Sequence, residues 1–283
     1  VDHQQEGPYS GAYYTGQEIG EIRELESEGF FNSEEEINAL NQTGIIPWGA
    51  ISIVEGWPRF IDQDGNGIIE KGISINDTKD YKKLGNTQPR YNYGIDISLD
   101  WKGFDLRTFF QGIGKRDYYP THYLFWGLYQ QPYANTYDHL LNFYRAEGDS
   151  EAARANHSQS YLNLGLADAN TENVDYPTLQ AWLADYRVAN GLAIPQSRYL
   201  LSGAYLRLKN LTLGYSLPTS LTDKLNIGRL RFYASGENLW ESSDLKDFVD
   251  PEAIGSGTLD GGQFGGYAYP FQRRYSVGIN LAF

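Results

Sequence analysis

The last ten residues constrain the fold more than any other stretch. From Arg274 to Phe283, the side chains of Tyr275, Val277, Ile279, Leu281 and Phe283 fall on one face, and Ser276, Gly278, Asn280 and Ala282 on the other. Alternation with period two is the pattern of a strand that has one apolar surface. A strand that ends on an aromatic needs a neighbour to pair its edge and something to cover its apolar side, and a closed barrel supplies both. A soluble sandwich ending on its last strand is the competing reading of these ten residues.

Four more segments carry the same alternation. In Tyr91 to Trp101 one phase holds Tyr91, Tyr93, Ile95, Ile97, Leu99 and Trp101, and the other Asn92, Gly94, Asp96, Ser98 and Asp100. About ten residues is the length at which a tilted strand crosses a bilayer, and aromatics at both ends suit the two interfaces. Lys102 and Gly103 then turn the chain into Phe104, Leu106, Thr108 and Phe110. The apolar phase switches near Asn210, which predicts a β-bulge there. The patterns predict strands over 91–101, 104–112, 202–217, 228–240 and 273–283. Short connections, Lys102–Gly103 and Pro218–Ile227, alternate with long ones at 113–198 and 241–272. Short turns on one rim and long loops on the other are the habit of an outer-membrane barrel, with the long loops outside the cell. Five strands are too few to close one, since the smallest have about eight.

Composition agrees. Aromatics make up 15% of the chain, with 23 Tyr and 6 Trp, which suits interfacial girdles or stacking surfaces. There is no apolar run of about 18 residues, so no transmembrane helix is expected, whereas strand crossings leave no such trace. The net charge is −13 without a concentrated basic stripe, which argues against a nucleic-acid partner. Cysteine is absent, which removes disulfides and thiolate metal sites. Methionine is absent even at position 1, and we expect the chain to be less than a complete reading frame.

Residues 1–90 have few alternating runs and are expected to form an extracellular loop region carrying an Asp-rich calcium-type loop. Residues 91–283 are expected to hold the C-terminal barrel strands with their long loops. One helix is predicted over Ser33 to Leu40, with Ser33 as N-cap and Glu36 three residues on. Another is predicted over Thr178 to Arg187, where Leu179, Trp182 and Leu183 share a face.

The sharpest local motif begins at Asp62. Asp62, Asp64 and Asn66 place oxygen ligands at positions 1, 3 and 5, Gly67 allows the sharp turn at 6, and Ile68 offers its carbonyl at 7. A hard cation such as Ca²⁺ needs that spacing. Position 12 is Ile73 and not the bidentate Glu of an EF-hand. A second candidate is the aromatic run that opens the longest loop, Tyr118, Tyr119, Tyr123, Trp126 and Tyr129, with Arg116 and Asp117 beside it. Flat rings with polar tips stack on sugars or grip peptides, and they equally suit the packing of a large loop on itself. No enzymatic motif is found, and His3, His122, His139 and His157 have no metal-ligand spacing, so the chain is not expected to be an enzyme.

Six stretches, in order, resemble the C-terminal part of a SusC/RagA-type TonB-dependent outer-membrane transporter of the Bacteroidetes. They are Ile19–Glu36, Phe60–Glu70, Leu84–Gly114, Ala204–Pro218, Leu230–Trp240 and the terminal strand. In that strand Tyr275, Gly278, Leu281 and Phe283 resemble the assembly signal of outer-membrane barrels. The resemblance implies an all-β transmembrane antiparallel barrel of about 22 strands with a plugged lumen. It implies a place in the Gram-negative outer membrane, in contact with the lipid bilayer, and nutrient import of oligosaccharides or peptides. It further implies a SusD-like lipoprotein as partner, with energy from the TonB complex through the family's N-terminal part. It adds Asp80, or else Asp77, to the calcium shell. The alternative is a calcium-stabilised β-rich surface binding or adhesion protein with an aromatic ligand face, and a barrel enzyme is a weaker third.

Overall fold

The structure is a computed structural model that describes residues 16–46, 52–74, 76–184, 191–254 and 271–283. The chain divides into two compact units.

The first unit draws on residues up to Thr87 and on Tyr119–Leu200. Strand β1 (Glu21–Leu25) pairs antiparallel with β4 (Tyr81–Asn86), and β2 (Ser27–Phe30) with β3 (Pro58–Phe60). These short pairs were not legible in the alternation, because none is long enough to show a period. Helix α1 (Glu34–Ala39) starts where expected: the Ser33 hydroxyl accepts the Glu36 N–H, and the Glu36 carboxylate accepts the Asn32 N–H at 2.9 Å. Short helices α2 (Tyr123–Trp126), α3 (Glu151–Arg154) and α4 (Gln159–Asn163) punctuate the long segment, the last two capped by Ser150 and Ser158. The helix expected over Thr178 to Arg187 does not form in its described part. Residues 181–184 are turns, and Trp182 adopts φ of 69°, which no right-handed helix allows; 185–187 lie outside the described residues.

Two apolar clusters hold this unit. Leu25, Ile45, Phe60, Ile69 and Ile194 form one, and Phe31, Ile46 and Trp57 the other. The segment after Tyr119 is stitched to the N-terminal segment by main-chain bonds, such as the Thr178 N–H to the Gly56 carbonyl at 2.8 Å, and by the Arg198 guanidinium over the Phe30 ring.

The second unit is a five-stranded antiparallel sheet with part of its loops. Its strands are β5 (Arg90–Trp101), β6 (Phe104–Lys115), β9 (Tyr205–Ser216), β10 (Arg229–Ser243) and β11 (Arg274–Ala282), hydrogen-bonded in that order. Beside it lies the two-residue pair β7 (Asp117–Tyr118) and β8 (Leu201–Ser202). All five long strands fall where the alternation put them, and the sheet is a sequential meander. Lys102 and Gly103, both at positive φ, make the tight turn between β5 and β6. A side chain on Gly103 would press on the Ser216 carbonyl. The bulge also lies where the phase switched. Phe109 pairs with Asn210 and Phe110 with Leu208, so Lys209 is the extra residue.

Pairing carries each phase across the whole sheet. Val277 faces Ala234, which faces Leu213, which faces Leu106, which faces Leu99. One row along, Ile279, Phe232, Tyr215, Phe104 and Trp101 follow the same path. One face of the wall is therefore apolar from edge to edge, and its side chains lie open: Val277 is 86% exposed and Trp101 67%. The opposite face carries Asp96, Asp100, Asp105, Arg107 and Arg207, as the alternation required.

Candidate functional site

The acidic loop is organised around two carboxylates. Asp62 accepts main-chain N–H groups from Gly65 (2.7 Å) and Gly67 (2.6 Å), possible because Gly65 and Gly67 take φ values of 73° and 78°. Asp80 is fully buried and accepts from the Gln63 N–H (2.8 Å) and the Glu70 N–H (2.7 Å), closing the loop from behind. Asp62, Asp64 and Asp80 each place an oxygen within 4.8 Å of the others. Burial, together with the Asp64 and Asp62 charges, holds the Asp80 carboxyl above its usual range against the pull of its two N–H donors. The Gly67 N–H, with those of Gly65 and Asn66, holds Asp62 below it.

Of the two candidates for the last acidic ligand, the structure brings in Asp80. Asp77 sits in a separate small turn with Ser74 and pairs with Lys79. Asn66 lies next to Asp64, to which its amide donates, and its own oxygen accepts the Ile68 N–H at 2.7 Å. The Ile68 side chain is exposed. Each carboxylate oxygen has a second lone-pair direction, so N–H bonds and a cation can share the same groups.

Four of the five aromatics of the run are buried. Tyr119, Trp126 and Tyr129 have no exposed surface and Tyr118 has 3%. Trp126 packs edge-on against Tyr199 and Phe125 with centroids 4.9 Å apart, and its indole N–H donates to the Pro120 carbonyl. Tyr119 donates to the Leu192 carbonyl at 2.6 Å. Tyr119, Trp126 and Tyr129 pack in the interior of the first unit's loops. Tyr123 opens α2. In the second unit Tyr118 packs with Leu245, Val249 and Ile254, Arg116 is buried with its guanidinium donating to the Ile254 carbonyl, and Asp117 lies in the short pair β7 and β8.

The polar face of the sheet holds two ion-pair groups. Near the short turns, Arg231 of β10 grips Asp105 of β6 with bonds of 2.8 and 2.5 Å across the intervening β9. They meet because the residue between them is Gly214, where any side chain would come within 2.4 Å of both partners. At the other end Arg207 is 97% covered and surrounded by Glu241, Asp250 and Glu252. Alternation marked Arg207 as a polar-face residue, but Asp250 and Glu252 come from a loop with no period, so their convergence had no signal in the sequence. At the end of the wall, Gly278 lies under the Tyr233 ring, which a side chain there would displace. Tyr275 and Leu281 point from the apolar face beside it.

A two-faced antiparallel meander with short turns on one rim and long segments on the other is the arrangement of a section of barrel wall, and comparison with solved structures agrees on the fold. The chain superposes on the structure of the RagAB peptide importer in the open-open state with a TM-score of 0.54 at 21% identity, covering 92% of this chain and 22% of that one. The closed-closed state superposes with a TM-score of 0.53 at 22% identity, covering 96% and 26%. No family model matches the sequence. TonB-dependent receptor P3 of Formosa agariphila is 30% identical over 273 residues, 93% of this chain and 23% of the receptor. TonB-dependent receptor P26 of the same organism is 25% identical over 265 residues, 90% and 22%. The chain is a relative of TonB-dependent receptors of the Bacteroidetes, in line with the resemblance carried by the six stretches, and it spans about a quarter of the length of the curated receptors it matches.

Proposed function

We propose that this chain supplies wall strands and outer loops to a nutrient importer of the Gram-negative outer membrane. The apolar face of the five strands meets lipid, and the polar face, with Asp105–Arg231 and Arg207, lines the passage. The observation that carries this reading is the two-faced wall, because a soluble β-domain would cover the apolar side with its own residues and not leave Val277, Ile279 and Trp101 open. Similarity to receptors named as TonB-dependent supports energy supply by TonB, through a part of those receptors that this chain does not span. The imported nutrient is an oligosaccharide or a peptide, delivered with a SusD-like surface lipoprotein as lid. Binding and energy coupling complete the function, and no catalytic step is involved.

The test is genetic. A strain lacking the gene is grown on single oligosaccharide and peptide sources, with complementation by the intact gene in backgrounds with and without TonB. Growth on one class should fail and return only with the intact gene and TonB present. Unchanged growth and uptake on every source would end the reading.

We further propose that Asp62, Asp64 and Asp80, with Asn66 and the Ile68 carbonyl, hold a structural Ca²⁺ that pins the loop. Three converging carboxylates, one of them buried, support it. Metal analysis of the purified protein should find about one equivalent of calcium, lost in the Asp62→Ala/Asp64→Ala variant. Equal content in the two would make the loop an ordinary turn.

A further inference from the structure

The segment that leaves the top of β10 does not extend away from the wall. Tight turns at Leu245–Val249 and Asp250–Ala253 fold it back, with the Val249 N–H on the Leu245 carbonyl and the Ala253 N–H on the Asp250 carbonyl, both at 2.9 Å. It is then held at two places. One is apolar, where Leu245, Val249 and Ile254 pack on Tyr118. The other is ionic and lies on the polar face of the wall. Arg207 donates to Glu241 on the neighbouring strand, to Asp250 at 2.8 Å and to Glu252 at 2.9 Å, and Lys209 adds a bond to Glu252 at 3.0 Å.

The bulge makes this possible. It places Lys209 and Asn210 in succession on the polar side, so two cations, Arg207 and Lys209, reach one loop. Asp250 is the hub, since its second oxygen accepts the Phe271 N–H at 3.1 Å where the chain returns toward β11. The Phe271 ring lies 4.7 Å from the Lys209 ammonium and 5.5 Å from the Arg207 guanidinium. Three carboxylates gathered around one covered guanidinium repel one another as soon as the cation is withdrawn.

We propose that Asp244–Ile254 is a strap across the polar face of the wall and that Arg207 is its latch, so that losing the Arg207 charge uncovers the face beneath. The strap rests on the reading of that face as the lining of a passage. Its segment is held by ionic contacts at the end remote from the tight turns, where an entering solute would meet it first.

The experiment uses single cysteines in the full-length transporter, in intact cells treated with a membrane-impermeant maleimide. Val249→Cys reports the strap, and Gln111→Cys, whose residue pairs with Arg207 on the polar face, reports what lies beneath it. Both should label slowly with Arg207 in place and at least tenfold faster with Arg207→Gln, while Arg207→Lys restores most of the protection. Should Arg207→Gln fail to insert, Glu252→Gln is scored in its place and should speed labelling at least threefold. Unchanged labelling of Val249→Cys would overturn the latch. Faster labelling there with Gln111→Cys still slow would overturn the covering role. The underlying reading is checked separately by Ser276→Cys and Val277→Cys, which lie on opposite faces away from the strap. Water-accessible Val277→Cys with protected Ser276→Cys would sink the passage itself and leave the strap result standing as a property of the loop.

Discussion

At the residue scale, single side chains matter where their surroundings leave no alternative. Gly214 is one such place, because the Asp105–Arg231 pair occupies the volume a side chain would need. Gly214→Val should separate the pair and cost about 1–3 kcal/mol, measured as a lower urea midpoint for the folded barrel in liposomes. Glu24 is another. Burial pushes its carboxyl up to about 8, against a Tyr81 hydrogen bond and the Lys71 charge. The folded form holds the proton that the unfolded form releases near its ordinary value of about 4.3, so the stability this group contributes is present below that value and is lost as pH rises toward 8. Glu24→Gln should therefore leave the first unit unchanged at pH 5 and make it more resistant to limited proteolysis at pH 9. Equal cleavage of the two proteins at pH 9 would show the carboxyl to be solvated. Neither site was legible in the sequence, since Gly214 looks like any glycine in a strand and Glu24 like any surface acid until their neighbours are known.

At the element scale, strand length decides how much a sequence period reveals. A strand of nine to fifteen residues repeats its two-residue period often enough to declare both its existence and its faces, and all five did so. The bulge at Lys209 announced itself as a phase change for the same reason. Strands β1 to β4 have three to six residues and no such redundancy. The segment from Thr178 failed in the opposite way: apolar residues at helical spacing serve the loop core, and Trp182 turns in the left-handed region. The faces of the last strand can be tested directly. Val277→Arg places a charge on the apolar side near the middle of β11 and should cost about 2–4 kcal/mol of barrel stability, whereas Ser276→Arg, toward the polar side, should cost much less. The readout is the heat-modifiable, protease-resistant fraction in outer-membrane preparations. The reverse order would mean that the faces are exchanged.

At the scale of the whole molecule, the wall and the loop unit make different demands on their tryptophans. Trp101 and Trp240 stand on the apolar face and are exposed, whereas Trp57 and Trp126 are buried in the first unit. In liposomes with bromine near the headgroups, fluorescence of a variant keeping only Trp101 and Trp240 should be strongly quenched, and that of one keeping only Trp57 and Trp126 should not. Equal quenching would contradict a wall facing lipid. The five long strands, their order, their two faces and the family kinship were readable from the sequence alone, because each is written locally, in a period or in a run of adjacent residues. Only the folded chain shows that Asp80 stands with Asp62 and Asp64, that Tyr119, Trp126 and Tyr129 are buried, and that Asp250 and Glu252 gather on Arg207. Those outcomes depend on residues tens of positions apart meeting in a packed interior, and a one-dimensional pattern carries no distance between them.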